Sequence, residues 1–186
     1  DEDRVSPCPS GGPWWHTDQD TMDKLDRDIL LRDARINGKL ACLIMNAPVL
    51  PVQMGQFLNK MNSFLSEIQS KLSEDFDLSG VIRRVQELAP LCVRLEKMLK
   101  RMDMTESDRM LKQTAGEIAR LVYTSGSPYQ HDRSEPYRPF GILAKAKGKT
   151  WENTPEALYV FELAQFRRAC NRLEGQLEEL RQRISR

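Results

Sequence analysis

The sequence predicts an all-α protein: an antiparallel helical bundle of four to five helices with coiled-coil seams and extended arms. Three observations predict it. Apolar residues recur in alternating steps of four and three over several long stretches, the period of one face of a helix. Capping residues precede those stretches. Pro- and Gly-bearing breaks separate them. At 186 residues the chain is long enough for one domain with a core of its own. It divides into a flexible N-terminal arm (1–16), a helical bundle (17–124), an extended Pro- and aromatic-bearing connection (125–153) and a long C-terminal coiled-coil helix (154–186).

The N-terminal arm is rich in Pro, Gly, Ser and acid, a composition that stays extended or disordered when free. Trp14 and Trp15 are its exception. Adjacent indoles suit anchoring in a pocket, either on this chain's own helices or on a partner. Thr17 with Asp20 resembles a capping box and opens a first helix over roughly 18–46. Met22, Leu25, Ile29, Ile36, Leu40 and Leu43 give it a stripe that Arg32 and Lys39 interrupt. Asn37-Gly38 is a point where it can break or kink, and the prolines at 48 and 51 end it.

The second helix follows Pro51, with Met54, Leu58, Met61, Leu65, Ile68 and Leu72 in register and Phe57 and Phe64 widening the stripe. After a turn over 74–80, the third helix runs to about Met102. Leu78, Val81, Val85, Leu88, Cys92, Leu95, Leu99 and Met102 keep strict heptad phase across Pro90. Proline removes a helical hydrogen bond and crowds the preceding turn, so a kink near Ala89 within one continuous seam is expected. Thr105 with Asp108 caps a fourth helix over about 106–124, bearing Leu111, Ala115, Ile118 and Val122. The short loop before it makes the third and fourth helices antiparallel neighbours.

The connection 125–153 is long for a compact domain. Tyr137, Phe140, Leu143 and Trp151 are too many apolar groups for a plain linker, so it reads as an arm laid across the bundle or across a partner, with a Lys145–Lys149 tip in solvent. Thr154-Pro155-Glu156 then starts the last helix. Its apolar residues run Tyr159, Leu163, Phe166, Cys170, Leu173, Leu177, Leu180 and Ile184. In the first half Leu158, Tyr159, Val160, Phe161, Leu163, Ala164 and Phe166 cover most of the circumference, as in a helix buried on several sides. After Cys170 they thin to one stripe. That stripe either packs on the chain's own bundle or leaves it to meet a partner helix.

Charge and chemistry narrow the function. Charged residues make up 30% of the chain, yet the net charge is +1, which gives no general attraction to nucleic acid or membrane. The acid is concentrated in residues 1–28, with eight acids against three bases. No apolar run reaches the ~18 residues of a membrane span. A chain that begins at Asp1 reads as a fragment or a processed product. The two histidines, His16 and His131, lie in expected loops, and neither a Cys-x-x-Cys pair nor a Gly-rich phosphate loop is present. No catalytic residue, metal ligand or cofactor site is therefore assigned. Cys42, Cys92 and Cys170 sit in apolar contexts, where a thiol behaves as a small hydrophobe, which favours a reducing, intracellular compartment.

The expected function is a non-enzymatic structural or scaffolding subunit that binds helical proteins through coiled-coil seams, as a hetero-assembly or homodimer. The candidate partner-binding residues are Leu173, Leu177, Leu180, Ile184, Trp14, Trp15, Tyr137, Phe140 and Trp151. The alternative is a secreted four-helix signalling protein with two disulfides, which four cysteines allow.

Overall fold

The computed structural model describes residue 14, residues 17–123 and residues 140–185. The described residues are all-helical, with no strand among them. Five long helices carry the fold: α1 (Arg27–Met45), α2 (Met54–Gln69), α3 (Ser79–Leu99), α4 (Met104–Tyr123) and α6 (Glu156–Ile184), with a single-turn α5 (Gly141–Ala144) before the last. The chain divides into two compact units, residues 1–47 and 48–186.

In the first unit, a short 3-10 turn at Met22–Lys24 precedes α1. The expected start at Thr17 is not a helix start. The Thr17 hydroxyl accepts from the Gln19 amide inside a local turn. Asp26 is the cap instead, its carboxylate accepting from the Asp28 and Ile29 amides at 2.8 and 3.0 Å. From there α1 runs through Asn37-Gly38 without a break. A glycine in a helix interior costs only about 1 kcal/mol relative to alanine, too little to end nineteen residues of helix. No residue of α1 is buried.

The second unit is organised on α3. Its heptad positions Val81, Val85, Leu88, Cys92, Leu95 and Leu99 are all buried, as are Met54, Leu58, Met61, Leu65 and Ile68 of α2. The helix continues through Pro90, which points to solvent while the seam faces inward. α2 and α3 are antiparallel, because contacts at both ends fix their direction. At the turn between them, the Gln69 side chain donates to the Phe76 carbonyl at 3.1 Å and accepts from the Leu78 amide at 2.5 Å. At the far end Gly55 of α2 lies against Ala89 and Val93 of α3. There the Gly55 amide donates to Glu96 Oε1 at 2.8 Å.

α6 packs on α3 and runs parallel to it. Asp77 meets Cys170, Gly80 faces the Glu174 carboxylate, and Arg84 meets Glu178, so both chains advance in the same direction. This departs from the mainly antiparallel arrangement that the sequence predicts. α4 touches α3 only lightly. It is anchored at its start by Ser107, whose hydroxyl donates to the Leu99 carbonyl at 2.7 Å inside the core. It reaches α6 through the Glu117–Arg183 ion pair and α2 through the Phe57–Tyr123 ring contact. Asp103, not Thr105, caps it, accepting from the Thr105 and Glu106 amides.

The described part of the connection is an arm on the chain's own core. The Phe140 amide donates to the Val122 carbonyl at 2.8 Å, and Phe140 adopts a left-handed conformation with φ of 54°. That strain costs about 1–3 kcal/mol; burying the ring offsets it by roughly 1.5–3 kcal/mol. Leu143 and Ala146 follow Phe140 into the core. The lysine tip is not free in solvent. Lys147 lies over the Phe64 ring at 5.7 Å, and Lys149 pairs with Glu162. Gly148, at φ of 71°, turns the chain so that its amide reaches the Lys71 carbonyl at 3.1 Å. Four aromatic rings then join the arm, the α2–α3 turn and α6. Trp151 packs edge-on to Tyr159, Tyr159 on Phe76, and Phe76 on Phe166, with centroids 5.1–5.5 Å apart. Thr154 does not cap α6, because its hydroxyl is bonded to Asn153 Oδ1.

A Cβ at Gly55 would stand 2.4 Å from Val93 Cγ2 and 3.0 Å from the Ala89 carbonyl. Gly55→Ala is therefore expected to destabilise by about 1–3 kcal/mol through overpacking, against a propensity gain of roughly 1 kcal/mol. Adding Val93→Ala should recover part of that loss. Chemical denaturation of the two variants checks this; a gain in stability for Gly55→Ala alone would contradict the close approach.

Candidate protein-docking surfaces

The C-terminal stripe that the sequence offers to a partner is turned inward. Leu173, Leu177 and Leu180 are no more than 4% exposed, and Ile184 is partly buried against the same core. Phe140 is also a core residue. A narrow stripe needs only one neighbour, and α3 is that neighbour. Trp151 is 53% exposed and in T-shaped contact with Tyr159, and Trp14 is half-buried. Trp15 and Tyr137 lie outside the described residues.

The exposed apolar surface lies elsewhere. On α6 it is the first half, not the second. Leu158, Val160 and Phe161 are exposed while Tyr159 and Phe166 enter the core. The wide apolar circumference of this half does not mean burial on several sides: one face is covered and the other is bare.

The larger bare surface is α1. Ile29, Leu30, Leu31, Ile36, Leu40, Leu43, Ile44 and Met45 are each between 40 and 84% exposed. Arg32, Arg35, Lys39 and Asp28 form a polar strip beside them, and a shallow groove runs past Arg35, Gly38, Lys39, Cys42, Leu43 and Asn46. Gly38 deepens it, since nothing lies within 4 Å of where its Cβ would be. Ile29, Ile36, Leu40, Leu43 and Ile44 share one face of the helix and are all exposed, an apolar patch of the kind that marks an interaction surface. The sequence signal was available. The α1 stripe is wide and runs through a glycine, but Arg32 and Lys39 interrupt it, and the regular seams elsewhere are stronger.

The polar contacts of the second unit hold helices together. Glu178 accepts from Arg181 Nε and Nη2 at 2.8 and 2.7 Å, from Gln182 at 2.9 Å and from Arg84 Nη1 at 2.9 Å. The bonds from Arg181 and then Gln182, aided by the Arg84 charge, pull its carboxyl down from the ordinary 4.5 to about 2. Tyr159 donates to Asp75 Oδ2 at 2.8 Å and lies 3.2 Å from the Ser73 hydroxyl. Cys92 and Cys170 are buried free thiols, and Cys42 is an exposed one. Burial, with nearby Glu96 for Cys92 and Glu174 for Cys170, pushes both buried thiols up to about 12, so they stay protonated at neutral pH.

No group of three or more His, Cys, Asp and Glu side chains able to hold a metal ion occurs among the described residues. Among them, too, no helix is long and apolar enough to cross a membrane. No protein-family model matches the chain, and neither a curated protein nor a solved structure matches it.

Because Glu178 has a depressed folded-state pKa, its contribution to stability is fully present above about 4.5 and is lost as pH falls toward about 2. Acid titrations of unfolding stability should show the wild type losing more over that window than Glu178→Gln does. Parallel curves for the two proteins would mean that the Glu178 network does not couple α3 to α6.

Proposed function

We propose that this chain is a non-enzymatic structural subunit that binds other helical proteins, with α1 as its docking element. The observation that carries the reading is a nineteen-residue helix with no buried residue and eight large apolar side chains in solvent. A helix with that much apolar surface is stabilised by laying it against another apolar surface, as amphipathic helices do in grooves and helical assemblies. The bare half of α6, with Leu158 and Phe161, is a second surface of the same kind. The apolar stripes of α2, α3 and the end of α6 are buried within the chain and leave no free stripe there for a partner.

A structural role also fits the titratable groups. Glu178 is engaged in ion pairs, and the Cys92 and Cys170 thiols are protonated in the core. Free thiols at Cys42, Cys92 and Cys170 fit a reducing compartment. The alternative of a secreted signalling protein with two disulfides requires four paired cysteines.

Substituting Ile36 and Leu43 with Asp together should change unfolding stability by less than about 0.5 kcal/mol each, since both are surface positions, while abolishing association. A photo-crosslinking side chain at Leu40, compared with one at exposed Lys112 on α4, reads the association directly. The proposal expects crosslinks to a defined helical segment from Leu40 alone, lost in the Ile36→Asp, Leu43→Asp background. Equal crosslinking from both positions, or none from Leu40, would sink it.

A further inference from the structure

We propose that the cleft beside the start of α2 binds a small amphiphilic anion, of which an alkyl carboxylate is the simplest member. The cleft has a volume of about 400 Å³, within the range of small-molecule sites. Its walls are apolar, formed by Val49, Leu50 and Val52 of the segment entering α2 and by Leu99 and Leu111 of α3 and α4. Two charged residues reach it, Glu96 and Lys100.

These two stand four residues apart, Glu96 in the last turn of α3 and Lys100 at its C-cap, the spacing at which opposite charges pair on a helix surface. They do not pair. Glu96 Oε1 instead accepts from the Gly55 amide at 2.8 Å. There it serves the first turn of α2, whose preceding residue Gln53 provides no side-chain cap. The Glu96 carboxylate is thus committed to backbone, and Lys100 makes no ion pair among the described residues. An ammonium in no direct ion pair at the mouth of an apolar cleft selects its ligand. An anionic head meets Lys100 while an alkyl body displaces water from the walls; a cationic head is repelled; a neutral head gains only the apolar part. The site stands independently of docking through α1.

Calorimetric titration of the full chain with octanoate, octanol and octylamine tests the assignment. Octanoate should bind once per chain and more tightly than the other two. Lys100→Glu should weaken octanoate by about tenfold or more, the loss of a charge-assisted contact plus repulsion, and strengthen octylamine; Lys100→Arg should retain octanoate. Val52→Trp, at an exposed position on the cleft wall, should remove octanoate binding with helical content and melting temperature unchanged. If that variant misfolds, the Lys100 substitutions decide alone. No saturable binding, equal affinity for the three compounds, or octanoate affinity unchanged in Lys100→Glu would overturn the proposal.

Discussion

The close approach of α2 to α3 at Gly55 is the constraint on which the second unit depends. With no Cβ at that position, the α2 backbone comes against the Ala89 carbonyl and Val93. That proximity lets the Gly55 amide reach Glu96, and at the other end the Gln69 side chain closes the turn onto Phe76 and Leu78. The two fixed ends set the register in which the buried residues of α2 interlock with the α3 seam. The other face of α3 is then a defined surface, on which α6 lies through Glu174, Glu178 and the aromatic rings.

Because α3 accepts α2 and α6, the core of the second unit is built on their apolar faces, while α1 holds no buried residue of its own. The same logic explains the uneven surface of α6. Its C-terminal half needs only Leu173, Leu177 and Leu180 to meet α3, and its polar residues can surround that stripe. Its N-terminal half carries Leu158, Val160 and Phe161 beyond what the core uses. Apolar surface in excess of the core is the physical content of the docking assignment.

The α2 and α3 helices and their buried faces were legible in the sequence because local pattern and burial agree there: each apolar position spaced by four and three from Leu78 to Leu99 is buried. The direction of α6 was not legible. It depends on where the connection 125–153 delivers the chain, and a long connection allows either direction. Helix starts were misjudged where side chains compete over short range. Thr17 and Thr154 spend their hydroxyls in local turns, while Asp26 and Asp103 take the caps. The stripe of α6 reads in the sequence as free for a partner, yet it is buried within the chain, because pattern alone does not say which neighbour covers it. The narrow stripe of α6 is sufficient for burial on one neighbour, and the broad apolar surface of α1 is the one left over.

The core of the second unit closes on α3, and α1 buries none of its own side chains. Amide hydrogen exchange of the isolated chain, resolved by segment, tests this most directly. The account predicts the slowest exchange in Val81–Leu99 of α3 and the facing parts of α2 and α6, opening only with global unfolding. It predicts much faster exchange throughout Ile29–Met45, at rates set by local opening of an uncovered helix. Protection of α1 equal to that of α3 in the isolated chain would contradict it.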